Sequence, residues 1–99
     1  MKRAMPAPSP AYRRLQKQMA ALDWLCPGSV QRRRQLGTRP LRHPIYQWTR
    51  KVKGKTVTVN LTVAQYRELQ TAIANQRRLI RLMAALQKFT IAALFNANR

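Results

Sequence analysis

Apolar residues recur along this chain in two different rhythms. Leu15, Met19, Leu22 and Cys26 stand at i, i+4, i+7 and i+11, the spacing of one helical face. Arg13, Arg14 and Lys17 lie largely off that stripe. Ser9 ahead of Pro10 offers a capping oxygen, followed by a residue that needs no backbone donor. Pro27-Gly28 offers a stop. Together these predict a helix over 10–25.

From Ile45 to Leu61 the period falls to two. Placing Lys53-Gly54 in a two-residue turn pairs Val52 with Lys55, Arg50 with Val57, Trp48 with Val59 and Tyr46 with Leu61. Residues i and i+2 share a face. This register therefore collects Tyr46, Trp48, Val52, Val57, Val59 and Leu61 on one side. Gln47, Thr49, Lys51, Thr56, Thr58 and Asn60 collect on the other. A slip of one residue would mix the two sets. The expectation is a β-hairpin over 45–61 whose apolar face packs on a helix, because an isolated hairpin is marginal in water.

Thr62-Val63-Ala64-Gln65 reads as a capping box, and neither Pro nor Gly follows it. Tyr66, Leu69, Ile73, Ile80 and Met83 form a stripe, widened by Leu79, Leu82, Leu86, Phe89 and Ala93. A helix over 63–95 would be about 50 Å long, more than one hairpin covers. The first helix could lie antiparallel along part of it. The remaining apolar surface predicts a homodimer or a larger protein partner held through Leu79, Leu82, Met83, Leu86, Phe89 and Leu94.

The stretch 27–44 shows no clear rhythm. It holds Gly28, Gly37, Pro40 and Pro44, and reads as an irregular basic loop pinned by Val30, Leu36 and Leu41. The fold class expected is α+β: N-terminal helix, basic loop, two-stranded antiparallel β-hairpin and long C-terminal helix. These form one small domain over 10–99, behind a flexible basic, Pro-rich tail at 1–9.

Charge narrows the function classes. Lys plus Arg number 20 against two acids, a net charge of +18. Self-repulsion on that scale destabilises a compact monomer, and a polyanion relieves it. With Asp23 and Glu68 as the only carboxylates, a paired-carboxylate site and a carboxylate cage for Mg²⁺ or Ca²⁺ are disfavoured. One Cys26 and one His43 offer no disulfide and no zinc set. The expectation is a non-enzyme with no cofactor and no metal. At 45% hydrophobic residues, the chain is too apolar for a disordered tail.

Met1-Lys2-Arg3 is basic, but no apolar signal-peptide core follows. No uncharged stretch is long enough for a membrane span. The expected setting is bacterial cytoplasm, on the nucleoid or a ribonucleoprotein, with no membrane partner.

Arg32, Arg33, Arg34, Arg39, Arg42, Arg50, Lys51, Lys53 and Lys55 follow one another with no acid between them. Such a run suits phosphate contact and counterion release. Gln47, Thr49, Lys51, Thr56 and Thr58 would form the polar face of a β-ribbon able to enter a major groove. That face equally fits a solvated sheet surface, since Thr is common in strands. Tyr46 and Trp48 could stack on bases, but their alternation with valines favours packing, and Trp24 and Tyr66 also read as core or its rim. Gly54-Lys55-Thr56 echoes a phosphate-binding loop, but lacks its upstream glycine and sits between strands.

The order Pro27-Gly28-Ser29-Val30, Arg32-Arg33, His43-Pro44-x-Tyr46, Lys51-Val52-Lys53-Gly54-Lys55-Thr56 and a long helix resembles a family of small uncharacterised bacterial domain proteins often found near transposases. The resemblance runs from about Leu25 to Leu79 and implies association with mobile DNA. The cysteines that such proteins carry ahead of the hairpin are missing between Gly37 and Arg42, so no metal-supported loop follows. The combined expectation is a non-catalytic nucleic-acid binder, duplex DNA ahead of RNA. An RNA-binding ribonucleoprotein subunit is the first alternative, and a helical assembly adaptor the second.

Overall fold

The computed structural model describes residues 6–96. The outer part of the expected basic tail, 1–5, lies outside them. The order of elements is α1 (Pro10–Ala20), β1 (Ser29–Leu36), β2 (Arg39–Val52), β3 (Lys55–Leu61) and α2 (Val63–Asn96). The class is α+β, as expected. The chain divides into two compact units. One holds the chain up to Leu22 and from Arg77 onwards, and the other runs from Asp23 to Gln76.

The Asp23–Gln76 unit is a three-stranded antiparallel sheet, in the order β1-β2-β3, with the first half of α2. The β2–β3 register is the expected one throughout, from Tyr46↔Leu61 to Val52↔Lys55. Lys53 and Gly54 both take positive φ, 50° and 81°, which a type I′ turn demands and which twists with the strands. Lysine has a Cβ that resists this conformation, whereas asparagine tolerates it. Lys53→Asn is expected to stabilise the unit by about 0.5–1 kcal/mol, read as a rise in denaturation midpoint. An unchanged or lowered midpoint would contradict the turn assignment.

The expected basic loop over 27–44 is instead β1, a turn and the first part of β2, so the sheet has three strands where two were expected. Val30↔Trp48 and Arg32↔Tyr46 face one way, and Gln31↔Gln47 and Arg33↔Ile45 the other. Long arginines on both faces of β1 hide the alternation. Gly37, at φ 62°, opens the two-residue turn between Leu36 and Arg39. The prolines fit because pairing shifts between Arg33 and Gln35, and because β3 begins to pair only at Tyr46. A residue without an N–H is tolerated where no ladder bond is needed.

The core of this unit is Cys26, Ala72 and Ile73, with Val30, Trp48 and Leu69 packed against it. Burying a side chain such as Ile73 contributes about 2 kcal/mol. Tyr46 and Tyr66 meet with ring centroids 4.7 Å apart. Tyr66, Leu69 and Ile73 thus form the stripe that meets the apolar sheet face at Tyr46, Val30 and Trp48, while Val52 and Val59 of that face stay exposed. The Thr62–Gln65 capping box is reciprocal: Gln65 N donates to Thr62 Oγ1 at 3.1 Å and Thr62 N to Gln65 Oε1 at 2.9 Å. Trp24, expected at the core, is 82% exposed. Only its carbonyl is held, by Asn75 Nδ2 at 3.0 Å.

In the other unit, α1 ends at Ala20 with its cap at Ala21, short of the expected 25. Cys26 leaves the helical stripe because its amide donates to Ala72 O at 3.2 Å in the sheet-bearing unit. Ser9 caps α1 as expected, accepting from Tyr12 N at 3.2 Å. The helix lies antiparallel to the second half of α2. Gln18 Oε1 accepts from Arg78 Nη2 at 3.0 Å, and Tyr12 meets the Phe89 ring edge-on at 6.4 Å. Pro6–Ser9 border an open groove of about 970 Å³ with Tyr12, Phe89 and Ala93.

This packing changes the expected partner surface. Leu82 is buried at 7% exposure, on the helix face shared with Arg78 and Phe89. Leu79 and Leu86 are half-buried. Those leucines serve the chain's own fold. Met83, Phe89 and Leu94 retain substantial exposure.

Candidate nucleic-acid interface

The side of the sheet turned away from the Cys26–Ile73 core is polar apart from Ile45. Register places Ser29, Gln31 and Arg33 of β1 beside Thr49, Gln47 and Ile45 of β2. It places Asn60, Thr58 and Thr56 of β3 beside Gln47, Thr49 and Lys51. Gln31 Nε2 donates to Gln47 Oε1 at 3.4 Å, and Gln47 Nε2 donates to Asn60 Oδ1 at 3.1 Å. One amide row therefore crosses all three strands. Thr49 and Thr58 share a hydrogen bond of 3.1 Å, and Lys51 Nζ donates to Thr56 Oγ1 at 2.7 Å. Cross-strand pairs of this kind hold side chains in register and leave further donors and acceptors facing outward. Gln31, Arg33, Lys51, Thr56, Thr58 and Asn60 are exposed, and Gln47 and Thr49 half-buried.

Positive charge gathers at the two ends of β2. Lys51, Lys53 and Lys55 surround the β2–β3 turn, while Arg34, Arg39 and Arg42 flank the β1–β2 turn; all six are exposed. The two turns lie at opposite ends of one strand. A residue advances about 3.3 Å along a strand, so Arg39 and Lys51 stand up to about 40 Å apart.

The structure thus brings Arg33, Gln47, Thr49, Lys51, Thr56 and Thr58 to one face, with Lys53 at its tip. It turns Arg32, Arg50 and Lys55 to the opposite face, opposite Tyr46, Val57 and Val52 in the ladders. Arg50 is committed there. Its guanidinium carbon sits 4.0 Å from the Trp48 ring centroid, and its Nη1 is sealed from solvent without a hydrogen-bond partner. Stacking on indole suits the flat, weakly hydrated guanidinium and commits Arg50 to the packed face. Nearby, burial raises the pKa of the Cys26 thiol, and the Arg50 charge opposes that rise.

Gln31 joins this face unexpectedly, because the stretch 27–44 reads as loop in the sequence. The signal was present in Ser29-x-Gln31-x-Arg33 alternating around Val30. Trp48 and Tyr46 belong to the packed face: Trp48 Nε1 donates to Pro27 O at 2.9 Å, and Tyr46 stacks on Tyr66. Among the described residues no group of His, Cys, Asp or Glu could hold a metal ion, and no helix is long and apolar enough to cross a membrane. No protein-family model, curated protein or solved structure matches the chain.

Proposed function

We propose that the protein binds nucleic acid without reacting with it, and that its preferred form is duplex DNA. The observation that carries this reading is the polar sheet face, ordered by its own cross-strand bonds and bounded at both ends by exposed cations. Lysines and arginines at the hairpin tips supply phosphate contacts, and the amide and hydroxyl rows supply contacts to base edges or sugars.

Two features favour a duplex over a single strand. Single-strand platforms hold bases by stacking on aromatic side chains, and here Tyr46 and Trp48 are spent on the other face. Each hairpin tip is two strands wide and suits a major groove of about 12 Å. The centre is three strands wide, with outer strands about 10 Å apart before side chains are added, so it lies across the backbone rather than inside a groove. The family resemblance adds mobile-element DNA as the first target class to test, and a nucleoid location follows from the same reading.

Competition at fixed salt tests this. A duplex of about 20 base pairs is expected to displace a labelled duplex at roughly tenfold lower concentration than single-stranded DNA or a hairpin RNA does. Tighter displacement by the RNA transfers the assignment to a ribonucleoprotein subunit. Absence of binding to all three ends the nucleic-acid reading.

A further inference from the structure

The second half of α2 carries a second apolar stripe that its own unit leaves open. Leu82, Phe89 and Ala93 share the side that meets α1. Residues three and four apart lie beside one another on a helix, so Ile80, Met83, Ala84, Gln87, Ile91 and Phe95 fall together on the far side. Ile80 is 59% exposed, Ile91 57% and Phe95 69%. Ala84 and Gln87 are exposed as well. From Ile80 to Phe95 the stripe runs about 22 Å, the length of several helical turns.

The unit has little of its own to spend. α1 has only 11 residues and buries none of them fully, and helices that short are marginal without packing. Contiguous apolar surface rimmed by charge on such a unit marks a contact site. The rim here has one sign. Arg77, Arg81 and Lys88 border one edge of the stripe, Leu79, Leu86 and Thr90 the other, and no Asp or Glu follows Glu68 in the chain. Two copies meeting antiparallel along this stripe would set those cations against one another with no anion to offset them. A helix flanked by aspartates or glutamates meets both requirements at once, as the flanking charges of coiled coils do.

We infer that this outward stripe of α2 is a docking surface for an amphipathic helix of another protein, with an apolar seam and acidic flanks. The stripe is independent of the sheet face, and its failure would leave the nucleic-acid reading untouched. The interaction resembles helix-in-groove recognition, with Ile80, Ile91 and Phe95 as anchors.

The test uses the full chain, freed of nucleic acid by nuclease, and a labelled synthetic helix of about three heptads with Leu along its seam and Glu on its flanks. Comparison peptides carry Lys on the flanks, or the same residues in scrambled order. At about 0.15 M salt, the Glu-flanked helix is expected to bind at least about tenfold more tightly than either comparison peptide. Substituting Ile80→Ser together with Ile91→Ser is expected to weaken it by about tenfold or more, with helical circular dichroism unchanged. Ile91→Ser alone keeps the test usable if the double variant loses helicity. Equal binding of the scrambled peptide reduces the effect to net charge and overturns the inference, as does indifference to the serine variants. Sedimentation of the isolated chain as a dimer that Ile80→Ser and Ile91→Ser dissociate assigns the stripe to a second copy, and overturns it too.

Discussion

Raising monovalent salt from about 50 to about 200 mM is expected to weaken duplex binding by about 10³-fold or more. The estimate follows from counting cations. Arg33, Arg34, Arg39, Arg42, Lys51 and Lys53, with Lys55 at the turn, are all exposed, and each phosphate neutralised adds about −0.9 to the slope of log affinity against log salt. If six or seven engage, the slope is about −5 to −6. Replacing Lys51, Lys53 and Lys55 together by Gln is expected to flatten that slope by about 3 and to lower affinity about 10²-fold at low salt. These lysines suit the test because their ammonium groups are exposed and none supports the core. Lys51 loses only its bond to Thr56. The measurement is a salt series of anisotropy titrations on the wild-type chain and the triple variant. A flat wild-type response, or equal slopes for the two proteins, would remove the tip from the contact surface.

Gly28→Ala is expected to destabilise the sheet-bearing unit severely. Gly28 holds φ at +90° beside the central strand, and a Cβ there would overlap the Thr49 carbonyl oxygen. It would also stand 2.9 Å from Trp48 Nε1 and 3.1 Å from Arg50 Cβ. The crowded atoms include backbone, which cannot swing away. Relief requires lifting the Pro27-Gly28 segment, which breaks the Trp48 Nε1–Pro27 O hydrogen bond and uncovers Cys26. The backbone conformation alone costs about 1–2 kcal/mol. With overpacking the total is about 3 kcal/mol, and the melting midpoint falls by more than about 10 °C. Gly37→Ala is the matched control: φ is +62° but open space surrounds the added carbon, so only about 1 kcal/mol is lost. Near-UV circular dichroism, dominated by Trp48 in its packed setting, follows both. Equal midpoints for the two variants would show that the close approach at Thr49 carries no energy.

Much of the fold can be read residue by residue from local signals. The β2–β3 register follows from one turn and an alternation of period two, because slipping it would mix the apolar set of Tyr46, Trp48 and Val57 with the polar one. The Ser9 and Thr62 caps follow from side-chain oxygens placed beside unpaired helical amides. β1 is different. Arg32, Arg33 and Arg34 carry long stems with charged ends and fit either face of an edge strand, so they blur the alternation that identifies a strand. The amide row was half legible: Gln47 and Asn60 could be placed opposite each other, but Gln31 joins them only once β1 exists.

Sequence alone determined the elements whose forces act between near neighbours: two capped helices and a hairpin with one apolar and one polar face, together with a net charge of +18. Only the tertiary structure decided which surfaces remain free. Trp24 is left in solvent while Cys26 enters the core, and Leu82 turns inward while Ile80 turns out. Each of these outcomes depends on which distant segment arrives to exclude water, and spacing along a chain does not encode that arrival.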